Sequence, residues 1–158
     1  MPPTETDSSQ GRHETEKERV DRNLLELTGE LRVALPGVQV LFAFLLVVPF
    51  NTRFPEVTDF QQTIYLITLL LTAASSALLI APTVHHRLTF RKQQKERIVL
   101  IGNRLTIAGL TTLGLAMIGV VLLVTDFVFG TVTTVIGAGL TAALFAVVWY
   151  VLPLSRRV

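Results

Sequence analysis

"LTIAGLTTLGLAMIGVVLLV" (Leu105–Val124) runs for 20 residues without one Asp, Glu, Lys, Arg or His. A helix rises 1.5 Å per residue, so about 20 apolar residues cross the ~30 Å hydrocarbon core of a bilayer. Three more stretches lack charge in the same way: Val33–Phe50, Thr63–Ala81 and Phe127–Leu152. A helix of a water-soluble bundle keeps a polar stripe toward solvent. These segments are apolar all round. The chain has 158 residues, 50% of them hydrophobic, and a mean hydropathy of +0.54. The predicted fold is an all-α integral membrane four-helix bundle, with spans near 33–50, 63–81, 105–124 and 131–152. The last apolar run exceeds one span, so part of Phe127–Gly130 is expected to form a tight outer turn, with Asp126 as a helix cap.

The flanks read differently. Residues 1–13 are rich in Pro, Ser, Thr and acid, the composition of a disordered tail. In 14–32, Val20, Leu24, Leu27 and Leu31 fall at i, i+4, i+7 and i+11, on one helix face. This predicts an amphipathic N-terminal helix lying at the interface. Pro36 and Gly37 then predict a kink or restart near the beginning of the first span. No short apolar core with a small-residue cleavage site precedes that span, so it is expected to be retained. Residues 82–104 form a basic joint between spans two and three, and 153–158 a short tail.

The 14 Lys and Arg residues are sorted by side. Arg12, Lys17, Arg19, Arg22 and Arg32 precede span one. Arg87, Arg91, Lys92, Lys95, Arg97 and Arg104 fill the joint, and Arg156 and Arg157 end the chain. Arg53 alone lies on the other side. The positive-inside rule counts these residues, so both termini are expected in the cytoplasm.

The joint, "APTVHHRLTFRKQQKERIVLIGNR" (Ala81–Arg104), invites a search for chemistry. His85 and His86 are adjacent, so on a helix they point about 100° apart and do not share one ion. The basic charge is accounted for by topology rather than nucleic acid. Anionic lipid at the cytoplasmic face is the expected partner of the cluster. Residues 1–32 carry an excess of acid, so the N-terminal helix is a further candidate, through Glu26 and Glu30. No cysteine is present, which excludes disulfides and thiolate chemistry. No ionisable side chain interrupts any of the four runs. Proton-coupled transport and intramembrane hydrolysis both require such groups at depth. Neither a cofactor nor an enzymatic activity is expected.

Two features remain inside the spans. Gln39 is the one side-chain amide there. In hydrocarbon it is expected to face protein, as a helix–helix hydrogen bond or in a polar cavity. Span four carries rows of small residues at spacing four: Gly130, Thr134, Ala138, Ala142 and Ala146, flanked by Thr133, Gly137 and Thr141. Ala73, Ala77 and Ala81 repeat the pattern in span two. Such rows let helices approach closely, within one chain or in a homodimer or partner complex.

Four blocks carry a resemblance: "ELRVALPGVQVLFAFLL" (Glu30–Leu46), "PFNTRF" (Pro49–Phe54), "APTVHHRLTFR" (Ala81–Arg91) and "LPLSRR" (Leu152–Arg157). Their order and spacing resemble a family of short four-span membrane proteins, known mainly from actinobacteria and defined as a domain of unknown function. The resemblance implies a bacterial cell membrane location and carries no catalytic residue. It marks Glu30, Arg32, Gly37, Gln39, Pro49, Arg53, Pro82, His86 and Arg87 as polar or special positions, and Arg91 of the basic joint is a further candidate polar position. The expected function is that of a non-enzymatic membrane subunit that associates with itself or a partner. The alternatives are a small transporter or channel for a lipophilic or neutral solute, and a membrane-stress or anionic-lipid-interacting protein.

Overall fold

Apolar periodicity gives way to unbroken helix in the computed structural model, which describes residues 16–89 and 95–155. The side chains of 85–89 and 95–99, and several between 16 and 30, lie outside the described set. The elements are α1 (Glu16–Val47), α2 (Asp59–Thr89), α3 (Lys95–Phe129), α4 (Thr131–Ala146) and the short α5 (Leu152–Ser155). Two 3₁₀ turns, Val48–Phe50 and Phe54–Glu56, connect α1 to α2, and a π-helical turn, Val147–Val151, joins α4 to α5. No strand occurs among the described residues. Four stretches are long and apolar enough to cross a membrane: Leu31–Phe50, Asp59–Val84, Leu100–Phe129 and Thr131–Ser155.

Several expected boundaries move. The interfacial helix and the first span are one continuous helix, with Pro36 inside it. Proline removes a single intrahelical hydrogen bond, and the helix continues on both sides of that gap. Pro82 does not end the second span; it is buried inside α2, which runs on to Thr89. Most of the described joint is therefore the ends of α2 and α3. Phe127–Phe129 continue α3, and the turn into α4 contracts to Gly130 alone. Gly130 has φ 83° and ψ 178°, a region essentially closed to side chains with a Cβ. The 1–13 tail, Arg91 and the C-terminal 156–158 lie outside the described residues.

Packing is built on α3. It pairs most extensively with α2, receives α4, and touches α1, which lies chiefly on α2. Among the described residues α4 closely approaches neither α1 nor α2. The apolar core joins Leu31 and Val38 of α1 to Leu79 of α2, with Ala34, Leu35, Leu110 and Leu113 around them.

The tightest seam is α2 against α3, and hydroxyls and glycines make it. Thr68, Thr72, Ser75 and Leu79 lie at i, i+4, i+7 and i+11 and are all buried. A Cβ on Gly109 would stand 2.8 Å from Leu79 Cγ, and one on Gly119 would collide with Thr68 Oγ1. Ser75 Oγ donates to the Gly109 carbonyl at 2.8 Å, an approach the bare glycine backbone permits. Lipid tails are as apolar as leucine, so close packing and interhelical hydrogen bonds bring membrane helices together.

α4 uses a different face of α3. Thr134 is buried, and Gly137, Ala138, Thr141 and Ala142 are partly covered. A Cβ on Gly137 would stand 3.5 Å from Thr125 Cγ2, an ordinary contact. Further along, Gly114 leaves room for Trp149, whose ring would lie 3.4 Å from an added Cβ. Trp149 also meets Phe145 edge to face at 4.8 Å. Tyr150 reaches Thr111, hydroxyl to hydroxyl, at 2.6 Å. The π turn that carries both aromatics has a local cause. The Leu152 N–H bonds back to the Val147 carbonyl, five residues away, and Pro153 next to it has no N–H to continue an α ladder.

Candidate functional site

The charged side chains with resolved partners at the far end of the bundle converge on the connection between α1 and α2. Thr58 opens α2. The Gln61 N–H donates to Thr58 Oγ1 at 3.3 Å, and the Thr58 N–H donates to Gln61 Oε1 at 3.1 Å. This reciprocal pair is a capping box, satisfying two backbone donors at a helix start. Gln61 also reaches α3, where its Nε2 donates to Asp126 Oδ2 at 2.9 Å. Asp126 is therefore not a helix cap. It sits inside α3 and clasps the start of α2 through a glutamine that is 8% exposed.

Arg53 lies beside this clasp. Its Nε donates to Glu56 Oε2 at 3.1 Å, and its guanidinium carbon stands 4.7 Å from the centre of the Phe127 ring. The Asn51 side chain accepts from the Arg53 N–H at 3.0 Å, fixing the loop between the two 3₁₀ turns. Phe54 packs edge to face on Tyr65 at 5.8 Å. Tyr65 then donates to the Leu45 carbonyl at 2.9 Å. That carbonyl lacks its usual helical donor four residues on, because residue 49 is proline.

These groups border a cavity of about 320 Å³. Val48, Phe54, Val57, Leu123, Val124 and Phe127 make most of its wall, with Arg53, Gln61 and Tyr65 among the polar contributors. It is an apolar space with a few convergent polar groups, the general form of a small-molecule pocket. It lies at the end of the bundle and does not include Gln39.

Gln39 has an unexpected position. It is exposed on α1, with no side-chain hydrogen bond among the described residues. α1 turns Leu31, Val38 and Leu45 inward, and Gln39 follows Val38 by one residue, about 100° around the helix. Within the chain it therefore neither bonds to another helix nor lines the cavity. Arg32 is exposed on the same helix, and Glu30 belongs to α1 with its side chain outside the described set. His86 and Arg87 lie in the last turns of α2, and their side chains are likewise outside it.

The structure brings Arg53 into a site and leaves Gln39 on the surface. It also reveals groups that the sequence alone did not single out: the Gln61–Asp126 clasp, the Tyr65–Leu45 bond and the hydroxyl–glycine seam. The capping box was signalled by T-x-x-Q at Thr58–Gln61. The seam was signalled by Thr68, Thr72 and Ser75 on one face of span two, opposite Gly109, Ala116 and Gly119 of span three. No local signal pairs Gln61 with Asp126, which are 65 residues apart.

Fold and site together define, among the described residues, an all-helical architecture with four helices of membrane-spanning length, which fits a multi-pass membrane protein. The chain belongs to the family of unknown function DUF6328, whose model matches residues 13–153. No curated protein matches it, and no solved structure does.

Proposed function

We propose that this protein is a non-enzymatic subunit of the bacterial inner membrane that works by lateral association, with itself or with a partner membrane protein. Both termini face the cytoplasm in this reading, in accord with the thirteen Lys and Arg residues grouped at one end against Arg53 at the other. The observation that carries the reading is Gln39, a side-chain amide near the middle of a span and turned away from the rest of the chain. An amide left unpaired in hydrocarbon costs several kcal/mol, on the order of 2–7. A neighbour in the membrane removes that cost.

The interior supports a non-catalytic role. Hydroxyls deep in the spans already donate to carbonyls: Thr72 to Thr68, Ser75 to Gly109 and Ser76 to Thr72. Each acts as internal fastening rather than as a poised nucleophile.

Affinity-tagged protein solubilised in a mild detergent tests the reading. An untagged second copy or a stoichiometric membrane partner should co-purify, and Gln39→Leu should reduce its yield. Recovery of the tagged chain alone, in the same state with and without the substitution, would contradict the proposal.

The cavity near Arg53 favours a second reading, in which the protein holds a lipophilic small molecule at the outer surface. Narrowing the space by Val124→Trp should then abolish retention of a fluorescent fatty acid by the purified protein. Unchanged retention would count against it. A role for the basic joint in binding anionic lipid remains a third proposal, resting on its Lys/Arg content.

A further inference from the structure

We propose that Gln39 lies at the axis of a two-fold homodimer, paired amide to amide with Gln39 of a second copy. The inference rests on the association reading above and names its partner and surface.

Depth comes first. Gln39 lies eight residues into the 20-residue span Leu31–Phe50. At 1.5 Å per residue that is about 12 Å into a segment about 30 Å long, close to its middle. Bulk water does not reach that depth on a lipid-facing surface, and lipid tails offer no hydrogen bond.

Most of the chain's own hydroxyls in the spans are occupied, the buried Thr106 hydroxyl of α3 being an exception. Mid-depth hydroxyls of the other helices donate to backbone carbonyls: Thr72, Ser75 and Ser76 on α2, Thr111 and Thr112 on α3, and Thr141 on α4. Gln39 is the exposed mid-depth group with hydrogen-bonding capacity unused among the described residues.

Symmetry then selects the occupant. Two copies inserted in the same direction are related by an axis along the membrane normal, so each residue near the axis meets its own equivalent at its own depth. A primary amide suits such an axis. It carries donors and an acceptor together, so two of them exchange N–H···O bonds in both directions. A hydroxyl-lined or acidic partner would need a separately evolved complementary surface; a second copy supplies complementarity by symmetry.

The surrounding face permits the approach. Pro36, Gln39, Ala43 and Leu46 follow one another at helical spacing, and all four are exposed. Pro36 and Ala43, one turn to either side, are short enough to let the two α1 helices come close. Arg32 lies on the same face toward the start of the span and is exposed. Like charges there favour a crossing that opens toward that end, where head groups and water separate the two guanidiniums.

Disulfide trapping in native membranes tests this, because the chain has no cysteine of its own. Ala43→Cys keeps Gln39 intact and places one thiol on the proposed face. Phe44→Cys, at the same depth but about 100° around the helix, is the control. Mild oxidation should convert Ala43→Cys to a species of twice the 17.4 kDa monomer and leave Phe44→Cys monomeric. Adding Gln39→Leu should lower the trapped fraction by about tenfold, the effect of roughly two interhelical hydrogen bonds in a membrane. Adding Gln39→Asn should preserve more of it. Equal trapping at both positions, or trapping indifferent to Gln39→Leu, overturns the proposal. If Ala43→Cys fails to cross-link while Gln39→Leu releases a different co-purifying protein, the homodimer is wrong and the association reading stands. If Gln39→Leu changes neither, both fall.

Discussion

A methyl group at Gly119 has no room, because Thr68 Oγ1 already occupies the space where it would go. At Gly137 the same methyl would make an ordinary contact with Thr125. The two glycines therefore separate close approach from tolerance. Gly119→Ala should destabilise the α2–α3 pair by about 1–3 kcal/mol, the usual cost of overpacking, and Gly137→Ala should be near neutral. Denaturation in mixed detergent micelles measures both, and equal effects would refute close approach at the seam. The clasp at the other end makes a second prediction. Gln61→Leu removes the donor to Asp126 and half of the capping box together. It should cost about 1–3 kcal/mol, and Asp126→Asn, which retains an acceptor oxygen, should cost less. The same unfolding assay ranks the two.

At the scale of elements, α3 is read from both sides. Gly109 and Gly119 admit α2, and Gly114 admits Trp149 from the π turn after α4. The chain has one tryptophan, so its fluorescence reports the surroundings of Trp149 and of no other site. Gly114→Leu should displace the indole and shift its emission, and an unchanged spectrum would place Trp149 elsewhere. The four spans were legible in the sequence because hydrocarbon demands uninterrupted apolar residues, as in Leu105–Val124. Their ends were not. Pro36 and Pro82 look like breakers, yet a long helix absorbs one missing hydrogen bond. Faces were harder still. A helix that is apolar all round has no amphipathic stripe to show which side packs. Only the small and hydroxyl residues carry that information. The rows on α4 stood out for their regular spacing, and the tighter seam ran through Thr68, Thr72, Ser75, Gly109 and Gly119. The place of Gln39 on the outer face of α1 was not legible for a related reason. Polarity in a span indicates that a partner is needed, not which chain supplies it.

At the scale of the molecule, α1 lies chiefly on α2 and α4 on α3, and among the described residues the two do not closely approach each other, so the assembly leaves broad apolar faces outward. Orientation can be checked directly. In intact cells an impermeant thiol reagent should label Thr52→Cys, beside Arg53, and spare Ser155→Cys until the membrane is opened. The reverse pattern would invert the proposed topology. What distinguishes the outward surface is Gln39, and lateral association stands or falls on whether that amide has a partner outside the chain. The most direct test is the mass of the particle released from lipid nanodiscs, for the wild type and for Gln39→Leu. Association predicts a wild-type assembly heavier than the 17.4 kDa chain and a shift toward the single chain in the variant. A single chain in both would contradict it.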